Sequence, residues 1–424
     1  MEDFKAVVRD FVLGKNEELS NRKITFFLLF LNVVTSAAVS IYIPCLKQMA
    51  IDLETTSAVM QMTIVAHLIG EFFGRLFCGP FVETHGGRAI ILPSLAISII
   101  GHFGCMISGS ALVFTVMRFG QAVGSSVVYI VSQSIINETF SEKEKSSVVG
   151  ILELYQPIAW ILSPFVGSIL AEISNWRGPF FVLLVAQLIG MIFFWAYPID
   201  KHRKSKKRFA ISKLLRDYGR VLKNSSFVIY ALIPGLFAGG YMIFAVGTPF
   251  ICSKFFENNS VVAAFSVIPL LFYVAATFVY RIVVDKFGVS VSKRAGACIY
   301  TIFGVYLIYV MMQNAPWTPG ILLTLMCLQC SGSAFLVPVS ILKALQSTPP
   351  HSTCVGASTV VIFRNIVMSV CIAVGAKFHS SITTIMSCVF MTVATVLILI
   401  MMRKIIRTHT VRKRKLNVSD SATV

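Results

Sequence analysis

Twelve stretches of about twenty mostly apolar residues, separated by short polar or basic connections, occupy nearly the whole chain. They fall at 24–43, 57–79, 89–109, 112–136, 147–170, 178–197, 226–251, 261–283, 295–312, 320–342, 354–376 and 381–402. At about 1.5 Å per residue, each is long enough as a helix to cross a hydrocarbon core of about 30 Å. Charged residues make up only 13% of the chain, against about a quarter in a soluble domain, so water is the wrong solvent for it. The pattern predicts an all-α membrane protein of twelve transmembrane helices.

The basic residues orient those helices. With the N-terminus inside, 31 of the 37 Lys and Arg lie in or beside inside segments, and four (Lys47, Arg177, Lys254 and Lys377) lie outside. The remaining two, Arg118 and Arg364, fall within spans. Such an asymmetry places both termini in the cytoplasm and requires an even number of crossings. It also removes the nucleic-acid reading of a +18 net charge, because a binder of that kind would carry its basic residues on a soluble face.

The chain divides at its midpoint. A cytoplasmic segment at 1–23 precedes a six-helix bundle at 24–197; a basic linker at 198–225 leads to a second bundle at 226–402 and a basic tail at 403–424. The polar residues ahead of the first span argue against a cleavable signal peptide. Phe209, Leu214, Leu215 and Val221 in the linker suggest an amphipathic helix on anionic headgroups, with a regulatory docking site as the other reading. The halves repeat one another. Gln121, Gly124 and Ser125 recur as Gln329, Gly332 and Ser333; Val149-Gly150 recurs as Val355-Gly356, and Glu83 with Gly86 as Asp285 with Gly288. The offsets of 208, 206 and 202 are nearly constant, as two pseudo-symmetric six-helix bundles require.

Several motifs carry chemistry. Between spans two and three lie Gly74, Arg75, Gly79, Pro80, Glu83, Gly86, Gly87 and Arg88. Glycines here permit close helix approach, Pro80 and Gly86-Gly87 suit a tight turn, and Glu83 with Arg88 suits a charge pair at a helix end. In span four, Arg118 is followed by Gln121 and Gly124. An arginine inside a span costs at least about 2.5 kcal/mol and marks a functional position, unless it snorkels to the interface. Span five holds Ser163, Pro164, Gly167 and Ser168, expected to pack between the halves, and Trp176-Arg177 opens span six.

Together these motifs resemble the major facilitator superfamily, and within it the bicyclomycin-resistance-like (Bcr/CflA) group of drug/proton antiporters. The resemblance runs from about 24 to 402 and is most specific at 74–92, 115–126 and 160–178. It implies that the loop between spans two and three latches the outward-facing state, that Arg118 is a buried functional arginine, and that Pro164 and Gly167 belong to an antiporter motif. Members of the group usually carry an aspartate in span one before a Tyr-x-Pro; this chain has Ser40 there, and no ionisable group from Ile24 to Cys45. A proton must then be handled elsewhere. His67, Glu71 and Arg75 stack on one face of span two, and Arg364 in span eleven lies at similar depth. A Glu71–Arg364 contact between halves is one expectation, and a Glu71–Arg75 pair the other. Glu153 in span five is a further proton-coupling candidate, and His102 is expected to be a satisfied interior histidine.

Asn32, Tyr42, Tyr129, Phe237, Tyr241 and Phe244 are candidates to line a substrate cavity with Arg118 and Gln121, in spans that the fold places centrally. The ten cysteines include one CxxC, Cys327 to Cys330, without a second pair, so no metal site is expected. No grouping suits an enzyme, no cofactor is expected, and an ion or solute gradient must supply the drive. Three functions follow: proton-coupled efflux of drug-like compounds, carriage of an anionic or zwitterionic metabolite, or a transporter-like sensor. The expected setting is a monomer, multi-pass in a bacterial inner membrane, acting on a small molecule and, in the efflux reading, on protons.

Overall fold

The computed structural model describes residues 17–85, 87–140, 148, 155–196, 211–252, 259–313, 318–348 and 353–377. Its first bundle begins with α1 (Glu17–Ser40), a 3-10 turn at Ile43–Cys45 and the short α2 (Leu46–Asp52). It continues with α3 (Ser57–His85), α4 (Gly87–Ile107), α5 (Ala111–Ser125), α6 (Val127–Thr139), α7 (Tyr155–Ser174) and α8 (Gly178–Ala196). The linker helix α9 (Ile211–Leu222) leads to α10 (Ser225–Cys252), α11 (Asn259–Phe287), α12 (Val289–Met312), α13 (Pro319–Gln346) and α14 (Thr353–Lys377). Eleven of the twelve expected spans coincide with these helices; the span at 381–402 lies outside the described residues.

The exterior is apolar. Leu112, Ile173 and Phe278 are 75%, 78% and 62% exposed, while Asn32, His67, Arg118 and Gln187 are wholly buried. Large hydrophobic side chains outside and polar groups inside invert the pattern of a water-soluble domain, as lipid demands.

Two departures from the expected spans have local causes. Span four is two helices meeting at Ser126, where neither proline nor glycine stands. The hydroxyls of Ser125 and Ser126 turn back to donate to Ala122 O and Val123 O, at 3.4 and 3.0 Å, and such back-bonding bends helices. Span two is longer than its apolar run, since α3 continues to His85 and α4 starts at Gly87. Pro80 therefore lies within a helix.

The repeat extends beyond the matches read from sequence. Ser110 Oγ accepts from Val113 N–H (3.3 Å) and Thr318 Oγ1 from Ile321 N–H (3.5 Å), capping α5 and α13 at corresponding positions. Gly124 and Gly332 correspond as well, each facing the preceding span of its own half. Gly124 abuts the Ser94 carbonyl on α4, whereas Gly332 abuts the Tyr300 ring on α12. Gly70 lies against the Phe119 carbonyl and Gly101 against the Gln121 backbone, so α3, α4 and α5 touch main chain to main chain. Gly288, at φ +80, makes the left-handed turn between α11 and α12.

The linker helix rests partly on protein. Val221 is 1% exposed and joins the apolar core of the second bundle, while Arg216 and Arg220 point outward. Burial raises the Tyr218 hydroxyl above its ordinary pKa. Phe209 lies outside the described residues, as do the side chains of Leu214 and Leu215.

Candidate functional site

Three apolar clusters decide where a solute can enter. One belongs to the first bundle and runs through Leu28, Val131 and Phe194; a second belongs to the other bundle, through Phe237, Phe303 and Leu325. The third crosses between them. It joins Tyr42, Cys45, Leu46 and Met49 of the first half to Tyr241, Ala245, Leu270 and Ile372 of the second. The turn after α1 thus seals one end of the bundle.

On the other side of that seal lies a cavity of about 510 Å³, a size that suits a drug-sized ligand. Arg75, Tyr129, Trp160 and Ile161 form its wall on the first half; α10, α11, α13 and α14 supply the rest, including Phe237, Tyr241, Tyr273, Gln329, Ser333 and Arg364. It extends to Ile341 and Leu345 near the end of α13. Tyr129, Phe237 and Tyr241 are the only proposed substrate contacts among the lining residues. Asn32, Tyr42, Arg118, Gln121 and Phe244 lie elsewhere.

The structure gives each of these five a packing partner. Asn32 Nδ2 donates to Leu28 O and to Ser132 Oγ, both at 2.7 Å, tying α1 to α6. Phe244 is buried in the core of the second bundle. Arg118 is fully buried, does not snorkel, and donates to Gln121 Oε1 at 2.6 Å. Because arginine can only donate, that bond fixes the Gln121 amide, whose Nε2 then donates to His102 Nε2 at 2.7 Å. His102 must carry its proton on Nδ1, which donates to Ser98 O at 2.8 Å. The imidazole is satisfied on both sides. Among the described residues no carboxylate pairs with Arg118; instead its guanidinium lies 4.5 Å from the Tyr42 ring centre and 5.9 Å from that of Phe180. The Tyr42 hydroxyl bonds Thr63 Oγ1 at 2.9 Å.

Where the resemblance predicts an aspartate, Ser40 Oγ meets Ser163 Oγ at 2.6 Å, joining α1 to α7. Ser40→Ala is expected to cost about 0.6 kcal/mol, the mean for interhelical polar contacts in a membrane, and to leave transport intact. A large transport defect with an unchanged melting midpoint would show that this hydroxyl carries more than packing.

Gly167, one turn on, sits against the Ile41 carbonyl in the turn after α1. Ser163 and Gly167 thus face the first half, while the helix that carries the Pro164 motif also packs along α11 of the second, as expected of a segment between the halves. Trp176 Nε1 donates to Asp52 Oδ2 at 2.8 Å. Arg177 donates to Met106 O and Ser108 O, at 3.0 and 3.1 Å, closing the C-terminus of α4. Trp176→Phe keeps the ring but loses the bond to Asp52, and is expected to cost about 1 kcal/mol in unfolding experiments. No change in the midpoint would show that water replaces the bond.

The polar contact across the halves centres on Glu71, 8% exposed. Its Oε2 lies 3.4 Å from Arg75 Nη2 and accepts from Asn365 Nδ2 at 2.9 Å, while Oε1 is 3.9 Å from His67 Nε2. The partner from α14 is Asn365, not the expected Arg364. Adjacent helical residues point about 100° apart, so one residue of register turns Arg364 to the cavity, 5.8 Å from the Trp160 ring centre. The expected Glu71–Arg75 pair is present as well.

Of the loop motif, Gly74 packs against Val123 and Ser126, and Arg75 borders the cavity. The side chains of Gly79, Pro80, Glu83, Gly86 and Arg88, and all of Glu153, lie outside the described residues. Among the described residues no group of His, Cys, Asp and Glu has the makings of a metal site.

A family model described as the Major Facilitator Superfamily matches residues 26–376. The chain is 26% identical to an uncharacterized MFS-type transporter, YdgK, of Bacillus subtilis, over 54% of this chain and 58% of that one. It is 22% identical to a bicyclomycin resistance protein homolog of Haemophilus influenzae, over 71% and 77% of the two chains. With multidrug resistance protein D of Escherichia coli the figures are 25% identity over 50% and 53%. The matches to the Bacillus and Escherichia proteins thus span little more than half the length of each. Among solved structures, a peptide transporter POT superposes with a TM-score of 0.71 at 12% identity, covering 90% of this chain and 94% of that one.

Proposed function

Because the chain belongs to the Major Facilitator Superfamily, we propose that it is a secondary transporter exporting drug-like organic compounds by alternating access, driven by protons. The observation that carries this reading is the cavity between the halves, with the crossing apolar cluster sealing one end. Opening that seal while the other end closes would present the cavity to the opposite side, as alternating access requires. In this reading, with both termini inside on the strength of the basic asymmetry of the sequence, the end away from the seal faces the cytoplasm and the state is inward-facing. The names of the Haemophilus and Escherichia relatives support efflux of antibiotics and other drugs.

In this reading Glu71 is the proton-binding group. It is a buried carboxylate linking the two halves, with Arg75 beside it and His67 one turn away. Protonation weakens its hold on Arg75 and changes what Asn365 meets, so one proton biases the contact between halves. The test is transport by purified protein in proteoliposomes, using a panel of drug-like compounds with and without an imposed pH gradient. Movement that follows the proton gradient supports the proposal. Exchange of solute with no response to that gradient would refute proton coupling, and no movement of any compound by folded protein would refute transport.

A further inference from the structure

We infer that His67 is a positioning residue for proton loading: its ring accepts the proton-bearing oxygen of Glu71 and does not carry the proton itself. This deepens the reading in which Glu71 binds the proton, and rests on it. The two oxygens of Glu71 differ. Oε2 receives Asn365 Nδ2 at 2.9 Å and faces Arg75 Nη2 at 3.4 Å. Oε1 faces His67 Nε2 at 3.9 Å, and among the described residues no donor engages it. A proton arriving at this carboxylate therefore adds to Oε1, whose lone pairs are open.

His67 is wholly buried, and neither ring nitrogen has a hydrogen-bond partner. Unsatisfied buried polar atoms are costly and rare, so such a ring asks for a use. The charged and titratable groups around it are Glu71 and Arg75 on its own helix, Arg118 on α5 and His102 on α4. From α14 come Asn365 and, turned to the cavity, Arg364; from α6, Tyr129 on the cavity wall. Tyr42 meets α3 one turn earlier, at Thr63, and Asp52 of α2 is taken by Trp176. Between two guanidinium groups a wholly buried imidazole stays neutral, with one N–H and one lone pair. The ring also lies against the Arg118 main chain. The N–H of Arg118 is used within α5, so only its carbonyl can meet the ring, and a carbonyl asks for the protonated nitrogen. With Nε2 on Glu71, that leaves Nδ1 the proton and Nε2 the lone pair. A lone pair cannot close on an ionised carboxylate, which accounts for a gap about 1 Å longer than a hydrogen bond. Loading changes this. A proton from water adds to Oε1, an O–H bond forms, no bond breaks, and the carboxylate loses its charge. The new O–H points at Nε2 and the gap closes, while Oε2 still accepts from Asn365.

Infrared titration of the purified protein in lipid tests this. It follows the carbonyl band of the protonated Glu71 carboxyl, identified by its loss in Glu71→Gln. His67→Phe is expected to lower the midpoint pH of that band by about 0.5–1 unit, the worth of one neutral hydrogen bond. The sign follows from the bond favouring the protonated form, so that loading without it needs more acid. His67→Gln keeps an acceptor and is expected to restore the wild-type midpoint. If His67→Phe does not fold, 15N NMR of the histidine-labelled wild type decides. An unprotonated ring nitrogen must then gain a hydrogen-bond shift as Glu71 loads, and Glu71→Gln must lack that change. No such nitrogen, a midpoint unchanged or raised in His67→Phe, or one lowered equally in His67→Gln overturns the inference and leaves Glu71 as the proton site. If Glu71→Gln removes no carboxyl band at any pH the folded protein tolerates, the proton reading and the inference fall together.

Discussion

Glu71→Gln is expected to abolish the proton drive while leaving the protein folded and able to exchange solute. For one proton exchanged per neutral solute, a gradient of one pH unit supplies about 1.4 kcal/mol, or about tenfold accumulation. That factor should fall to about one in the variant. Glutamine preserves length and planarity, and its Oε1 can still accept from Asn365 Nδ2, so the bond between α3 and α14 survives. The titratable proton is lost, together with the charge facing Arg75. Asn365→Ala supplies the complementary change: it breaks the bond between the halves but leaves the carboxylate, and is expected to slow turnover while keeping the pH response. Transport by Glu71→Gln that still follows the pH gradient tenfold per unit would place the proton elsewhere, with Glu153 the next candidate.

The largest effect on folding is expected from Gly167→Val. A side-chain carbon at this position falls on the Ile41 carbonyl. That carbonyl is main chain in the turn that leads into Ile43–Cys45, and Tyr42 and Cys45 beside it belong to the seal. Nothing flexible is available to move aside. The Ser40–Ser163 bond pins the same seam one turn away. Overpacking into a close-packed region typically costs about 1–3 kcal/mol, and a rigid backbone obstacle puts Gly167→Val at or above the top of that range. Gly120 on α5 serves as the control, since nothing lies within 4 Å of a side-chain carbon placed there. Gly120→Ala should be neutral or more stable by up to about 1 kcal/mol, because alanine is the better helix former. Equal melting midpoints and transport for Gly167→Val and wild type would show that α1 and α7 separate without penalty.

The positions of eleven spans were legible because the lipid core imposes a length, and apolar runs report length directly. The rotation of each helix was not legible. In water a polar stripe marks the outer face, but a membrane helix is apolar on both faces, so an aromatic facing lipid looks like one facing a cavity. Trp160 and Tyr273 on the cavity wall were missed for that reason, and Tyr42 and Phe244 were placed there although they are packed elsewhere. Arg364 and Asn365 make the same point within a single helical step, since the correct span and depth named the wrong neighbour. Polar residues fared better when their chemistry left few options, as with His102, which sits between Gln121 and Ser98 with both nitrogens engaged. The break at Ser126 left only a pair of serines as its trace, and serines are too common in spans to be read as a joint.

The two bundles repeat one plan with different joints, and this has a mechanical consequence. In the first, Gly70, Gly101 and Gly124 bring α3, α4 and α5 together backbone on backbone; in the second, Gly332 rests on the Tyr300 ring and Gly296 on Phe335 and Leu336. Main chain cannot change rotamer, whereas a ring or a leucine side chain can turn and absorb a displacement. A push at Glu71 should therefore pass stiffly through the joint of α3 with α5, while the joint of α12 with α13 should give. Of two halves that repeat one plan, one meets at these joints through main chain and the other through side chains that can turn.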